Sequence, residues 1–89
     1  MPLVLVPTAY RGPTRGEGEI HVSGSTVIEC LRAVDAAHPG FLDLVCDANG
    51  GVHRFVKLFI IGEQLDSAAV DTPLAEDDRL EVLAAIAGG

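Results

Sequence analysis

The stretch TVIECLRAVDAAHPG, residues 26–40, decides the fold because it carries the clearest helix pattern in the chain. Thr26 and Glu29 have the spacing of a capping box, in which each side chain satisfies a backbone N–H group at the start of a helix. Apolar residues then recur with the spacing of an amphipathic helix, at Val27, Leu31 and Val34. Since a residue that precedes proline disfavours helical geometry, the helix should end at His38. The sequence therefore predicts one main helix.

Two strand patterns precede this helix. LVLV, residues 3–6, is a short apolar run that is typical of a strand in the middle of a sheet. EIHV, residues 19–22, alternates polar and apolar residues, which predicts that Ile20 and Val22 point inward. RGPTRGEG, residues 11–18, joins them and must be a loop because it contains three glycines and a proline. Together these patterns predict a hairpin.

The strongest strand pattern follows the helix, at HRFVKLFII, residues 53–61. One face is all aliphatic and should meet the core, with Val56, Leu58 and Ile60. The other face contains Lys57 and should point outward. We therefore expect Phe55 and Phe59, which share that face, to be exposed.

Three shorter patterns complete the chain. Residues 41–45 place Phe41, Leu44 and Val45 at helical spacing, which predicts a short second helix. Residues 64–65 are expected to pair briefly with the preceding strand, and residues 79–83 form the last strand. In the last strand the predicted inward residues are Leu80 and Val82, and the outward ones are Glu81 and Leu83.

The predicted architecture is α+β, a four- to five-stranded mixed sheet packed on one main α-helix. A chain of 89 residues has room for one modest core, so residues 1–83 should form a single domain and residues 84–89 a flexible C-terminal tail. The first and last strands are expected to lie parallel at the centre of the sheet. That position explains why residues 3–6 are apolar on both faces.

Composition excludes several function classes. The net charge of −7 argues against binding to nucleic acid or to an anionic membrane surface and is compatible with a basic protein partner. No apolar run reaches membrane-spanning length, and the N-terminus lacks a cationic segment followed by a long apolar one. We therefore expect a cytoplasmic protein without a membrane partner.

The polar residues show no pattern of an enzyme or of a metal or cofactor site. Cys30 and Cys46 do not form a CxxC pair, which argues against a redox dithiol and a zinc knuckle, and a reducing cytosol favours two free thiols over a disulfide. The three histidines lack ligand spacing, and the glycines match neither a P-loop nor a dinucleotide fingerprint. We expect no bound metal, no bound cofactor and no catalysis by the chain itself.

The last residues, LAAIAGG at positions 83–89, are small and uncharged and end in two glycines. Glycine lacks a Cβ atom, so Gly88 and Gly89 keep the end of the tail narrow. The alanines also keep the tail thin, and Ile86 supplies one apolar side chain. A tail this slender is unusual at the end of a soluble domain, and the family resemblance that follows implies a reaction at the Gly89 carboxylate.

These features resemble a known family. The predicted fold is the β-grasp, or ubiquitin-like, fold, and the sequence is similar to the small sulfur carriers of the MoaD and ThiS group. The matching segments are TVIECLRAV, HRFVKLFIIGE, PLAEDDRLEVL and AIAGG. Within the group the chain looks closest to CysO-type carriers, which it resembles at VPTAYR, HRFV and AIAGG. The resemblance spans nearly the whole chain.

The resemblance implies a protein co-substrate that is not an enzyme. An E1-like adenylyltransferase would use ATP to activate the Gly89 carboxylate, and a sulfur donor would convert it to a thiocarboxylate. The sulfur would then pass to a biosynthetic acceptor enzyme. Cysteine synthesis by a pyridoxal-phosphate enzyme is favoured, with a metalloprotease trimming the tail afterwards, while thiosugar, molybdopterin and thiazole synthesis are alternatives.

Docking on such partners is expected to use the tail and the outer face of the sheet. The expected contact residues are Gly88, Ala87, Ile86, Leu83, Phe55, Lys57, Phe59 and Arg54, with Leu3 and Leu5 extending an apolar patch. Two other functions remain open from the sequence. The chain could be a ubiquitin-like modifier that is joined to target proteins through Gly89, or a binding module whose tail is inert.

Overall fold

The fold is seen in a computed structural model, which describes residues 1–47, 51–53, 55–60, 63–64 and 70–84. Within these residues the strands are β1 (Leu3–Leu5), β2 (Glu19–His21), β3 (Val56–Ile60), β4 (Glu63–Gln64) and β5 (Arg79–Ala84). The helices are α1 (Val27–Ala37), α2 (Phe41–Val45) and a 3-10 helix at Thr8–Tyr10. This order confirms the predicted α+β architecture with one main helix.

The strands form one mixed sheet in the order β2-β1-β5-β3-β4. β1 runs parallel to β5 and antiparallel to β2, while β3 runs antiparallel to both β5 and β4. The predicted parallel pairing of the first and last strands at the centre of the sheet is therefore confirmed. β5 extends to Ala84, so the last strand includes the first residue of the predicted tail.

Helix α1 begins and ends where its sequence predicts. The Thr26 hydroxyl accepts a hydrogen bond from the Glu29 backbone N–H at 3.3 Å, and the Glu29 carboxylate accepts one from the Ser25 N–H at 2.9 Å. The N–H of His38 caps the other end by donating to the carbonyl of Val34. The buried face of the helix consists of Val27, Cys30, Leu31 and Val34.

The core lies between α1, α2 and the inner face of the sheet. Sixteen of the described apolar residues are buried in it: Val4, Val6, Ile20, Val22, Val27, Cys30, Leu31, Val34, Phe41, Val45, Val52, Val56, Leu58, Leu74, Leu80 and Val82. Strand alternation therefore places the predicted residues of β2, β3 and β5 inward, with Ile60 packed at the edge of the core.

Helix α2 differs from its predicted stripe at one position. Phe41 and Val45 are buried, but Leu44 is 37% exposed. The third apolar side chain of this five-residue helix that packs against the core is Leu42, and Leu44 points away from it. The carboxylate of Asp35 in α1 accepts hydrogen bonds from the N–H groups of Gly40 and Leu42, which anchors this short helix.

Candidate functional site

The candidate site surrounds the point where the chain leaves the sheet after β5. Ala84 is the last residue of β5 and pairs with Val56 in β3. The predicted reacting group of Gly89 and the predicted contact residues Ile86, Ala87 and Gly88 lie outside the described residues, as does Arg54. The structure thus describes the root of the tail and the surface around it.

Three of the predicted contact residues lie around this root. Leu83 is 38% exposed on the outer face of the sheet, and its cross-strand partner is the exposed Lys57. Phe55, which precedes β3, is 45% exposed. An exposed leucine and an exposed phenylalanine beside a lysine form the kind of apolar surface with a charged rim that is typical of protein contacts. We call Phe55, Lys57 and Leu83 the root surface.

The predicted apolar patch does not continue from Phe59 to Leu3 and Leu5. Phe59 is half-buried and pairs with Glu81, which in turn pairs with Leu5. Arg79 likewise pairs with Leu3. Because β5 lies between β1 and β3, its outward-facing charged residues separate the apolar residues of the two flanking strands. Charged residues therefore divide the predicted patch between Phe59 and Leu3, while Leu5 and Leu83 line one groove.

A groove lies beside the root surface and shares Leu83 with it. Its volume is about 740 Å³, and it lies between the ends of β1 and β5 and the segment that follows β1. Its lining residues are Leu5, Val6, Pro7, Thr8, Arg11, Gly18, Glu19, Glu81, Val82 and Leu83. The sequence pattern did not reveal this groove, because it forms where three segments distant in the chain meet.

Arg11 fixes one wall of this groove. Its Nε donates a hydrogen bond to the carbonyl oxygen of Val6 at 3.0 Å. Its guanidinium occupies the space into which a side chain at Gly18 would point. Arg11 ends the VPTAYR segment, whose resemblance to CysO-type carriers was the one sequence signal near the groove.

The two cysteines are free thiols, as predicted, with Cys30 buried and Cys46 half-buried. Burial raises the pKa of both thiols, and the neighbouring carboxylates of Glu29 and Asp47 raise them further. A thiol with a raised pKa carries little thiolate, the reactive form, at neutral pH. Neither cysteine is therefore prepared for nucleophilic chemistry or for carrying sulfur.

Side chains that could bind a metal ion do not cluster among the described residues. No three side chains of histidine, cysteine, aspartate or glutamate cluster within this part of the chain so as to hold a metal ion. The Nε2 atom of His53 lies 3.3 Å from the carbonyl oxygen of Asp43, and that of His38 lies 3.8 Å from the Glu17 carboxylate.

No helix in the described residues is long and apolar enough to cross a membrane.

Comparison with known proteins identifies the family. Residues 4–89 match the ThiS family, and the match includes both terminal glycines. The chain belongs to the ThiS family. It is also 30% identical to the sulfur carrier protein CysO of Mycobacterium tuberculosis, over 97% of this chain and 96% of that protein.

Solved structures that resemble this one also include CysO proteins. The structure of a BexX/CysO complex from Amycolatopsis orientalis contains a chain that matches with a TM-score of 0.91 and 29% identity, over 100% of both chains. The M. tuberculosis CysO structure matches with a TM-score of 0.88 and 27% identity, over 97% of this chain and 100% of that one. Small archaeal modifier protein 1 of Haloferax volcanii, at 20% identity and a TM-score of 0.77 over 99% and 98% of the two chains, shares the fold. These neighbours confirm the β-grasp fold.

Proposed function

We propose that this protein is a sulfur carrier and that its C-terminal glycine carries the sulfur as a thiocarboxylate. The observation that carries the proposal is the family match, which extends through the whole β-grasp domain to Gly88 and Gly89. The full-length similarity to a sulfur carrier protein, CysO, supports the same role. The carrier acts as a co-substrate, and the enzymes that load and unload it supply the catalysis.

The chemistry needs only the end of the chain. An E1-like adenylyltransferase joins the Gly89 carboxylate to the α-phosphate of ATP and releases pyrophosphate. A sulfur donor attacks the resulting acyl-adenylate, AMP leaves, and a thiocarboxylate remains. Adenylation makes this substitution possible because AMP is a far better leaving group than the oxygen of a free carboxylate. The sulfur of the thiocarboxylate is then the nucleophile that the acceptor enzyme uses.

The acceptor that we favour is a pyridoxal-phosphate enzyme of cysteine synthesis. The thiocarboxylate sulfur would attack an activated three-carbon amino acid on that enzyme and form a thioester. The acyl group of the tail would then move from the sulfur to the neighbouring amino nitrogen, which would leave a cysteine joined to Gly89 by a peptide bond. A metalloprotease would then remove that residue and regenerate the Gly89 carboxylate. Thiosugar, molybdopterin and thiazole synthesis remain alternatives, because they use the same thiocarboxylate chemistry and the acceptor enzyme determines which product is made. We place this cycle in the cytoplasm.

The root surface is the proposed docking site for these enzymes. Leu83 lies six residues before Gly89, so an enzyme that holds the tail must also approach Leu83 and its neighbour Lys57. Phe55 adds the largest exposed aromatic side chain of the described residues. The CysO chain in the A. orientalis structure is in complex with another protein, BexX, which supports docking by a carrier of this shape. Phe59 and Arg54 remain proposed contacts.

Intact-mass spectrometry tests the proposal directly. The protein is incubated with an activating enzyme, ATP and a sulfur donor, and we expect a mass increase equal to one oxygen replaced by one sulfur. A chain extended by one alanine after Gly89 is the matched control, because its reacting carboxylate is then within a peptide bond. A ubiquitin-like modifier would instead give higher-mass adducts on other proteins. A binding module with an inert tail would gain no mass and would bind its partner equally well without Gly88 and Gly89.

A further inference from the structure

Two carboxylates flank one leucine in a single row across the outer face of the sheet. Glu81 in β5 pairs with Leu5 in β1, and Leu5 pairs with Glu19 in β2. Residues that are directly paired across neighbouring strands point to the same face. Since neighbouring strands lie about 4.8 Å apart, the Cα atoms of the two glutamates are separated by about 10 Å. The two acidic side chains therefore stand on either side of an apolar floor.

Neither carboxylate is neutralised within the described part of the protein. Glu19 and Glu81 form no ion pair with any described residue, although Lys57 and Arg79 share their face of the sheet. Glu19 is exposed and Glu81 half-buried, so both carboxylates can be reached from outside.

Arg11 lines the same groove but is held at its wall by the backbone. Its Nε donates to the Val6 carbonyl, and its guanidinium fills the space next to Gly18 into which a side chain would point. Arg11 forms no ion pair with Glu19 or Glu81 among the described residues. The two carboxylates of the row therefore stay available to a second basic side chain.

The row lines the groove of about 740 Å³ that runs beside the root surface. Leu5, Pro7 and Leu83 supply apolar lining, and Glu19 and Glu81 supply acidic lining. A long basic side chain matches both properties, since its alkyl stem packs on apolar surface while its charged end contacts carboxylates. Arginine fits best, because its planar guanidinium carries five donors and can bind two acceptor groups at once.

We propose that this groove receives an arginine side chain of a protein that docks on the outer face of the sheet. The proposal rests on the proposed function only in that the docking protein is an activating or acceptor enzyme. The net charge of −7 favours a basic partner surface, and paired opposite charges would fix the orientation in which the tail enters that enzyme. The arginine would thus help to determine which enzymes accept this carrier.

The test of the groove uses a defined probe and needs no sulfur chemistry. The capped tripeptide Ala-Arg-Ala is titrated at millimolar concentration into the full-length 15N-labelled protein, and amide shifts are followed by NMR. We expect saturable shifts at Leu5, Glu19 and Glu81, and none with the matched Ala-citrulline-Ala peptide, which has the same shape without the charge. Shifts that are equal for the two peptides, absent, or centred on other residues would overturn the proposal.

Charge-neutral variants give the second arm of the test. Glu81→Gln and Glu19→Gln should each weaken binding of the arginine peptide by about threefold, the effect of one exposed ion pair. Glu76→Gln, which removes an exposed carboxylate from the turn before β5, should leave binding unchanged. The same spectra report whether each variant is folded. If Glu81→Gln does not fold, Glu19→Gln alone tests the proposal. Equal weakening by all three variants would indicate attraction to the overall charge and would contradict a specific groove. A failure of thiocarboxylate formation would leave these results unaffected.

Discussion

Arg11 donates a hydrogen bond from Nε to the carbonyl oxygen of Val6 at 3.0 Å, five residues before it in the chain. This contact joins Arg11, in the segment that follows β1, to the end of that strand. The guanidinium lies against Gly18, where any larger residue would displace it. One glycine therefore allows an arginine to bind the backbone at the edge of the candidate groove.

Replacing Gly18 with alanine should break this contact. The new Cβ atom would overlap the guanidinium of Arg11, so the bond to Val6 should be lost and its carbonyl left to water. We expect the free energy of unfolding to fall by about 1 kcal/mol relative to Gly12→Ala, the typical net value of one hydrogen bond. Gly12→Ala is the matched control, because a Cβ atom there meets nothing within 4 Å. Urea unfolding measures both, and equal stabilities would show that the contact contributes nothing.

Gly24→Ala should be more disruptive, because its obstacle is partly backbone. A Cβ atom at position 24 would lie 2.9 Å from Sγ and 3.0 Å from the backbone nitrogen of Cys30. The first turn of α1 would have to move, and overpacking of this kind costs about 1–3 kcal/mol. Thermal unfolding of Gly24→Ala and Gly12→Ala checks the prediction. A melting temperature equal to that of the control would mean that the helix shifts freely.

The cap of α1 should make stability depend on acid pH. The backbone N–H of Ser25, and then its hydroxyl, bind the Glu29 carboxylate and hold its pKa below the usual glutamate value. A lowered pKa in the folded protein means that the stabilisation is complete above the usual glutamate pKa. It is lost as the pH falls through the lowered value.

Glu29→Gln isolates this effect. Urea unfolding should show the wild type more stable than the variant at neutral pH, and the difference should shrink as acid protonates Glu29. Carbon NMR of the Glu29 carboxyl group should give a titration midpoint below the usual glutamate value. A difference in stability that is constant from neutral to acid pH would contradict a charged cap.

Local signals in the sequence predicted most of the fold. The cap at Thr26 and Glu29 fixed the start of α1, and the alternation of Leu80 and Val82 fixed the inner face of β5. These predictions succeeded because caps and strand alternation depend on residues close in the chain. The central parallel pair of β1 and β5 was expected from the predicted architecture as a whole, and it explains why residues 3–6 are apolar on both faces.

What the sequence missed depends on neighbours that are distant in the chain. The spacing of Leu44 matched a helix stripe, but Leu42 packs against the core while Leu44 is exposed. The apolar patch was predicted from outward-facing residues of separate strands, without the observation that Glu81 lies between Phe59 and Leu5. The contact of Arg11 with Val6 likewise arises only when the loop folds back. The predicted reaction at Gly89 remains a prediction.

Leu83 and Leu44 form a matched pair that tests docking at the root surface. Their exposed fractions are nearly equal, 38% and 37%, but Leu83 lies beside the tail and Leu44 on α2. Leu83→Ser should lower kcat/KM for thiocarboxylate formation about tenfold, because a truncated side chain at the centre of a contact costs more than 1 kcal/mol. Leu44→Ser should leave this rate constant unchanged, and thermal unfolding should show that both variants remain folded. An equal loss of activity in the two variants, or none in Leu83→Ser, would exclude the root surface as the docking site.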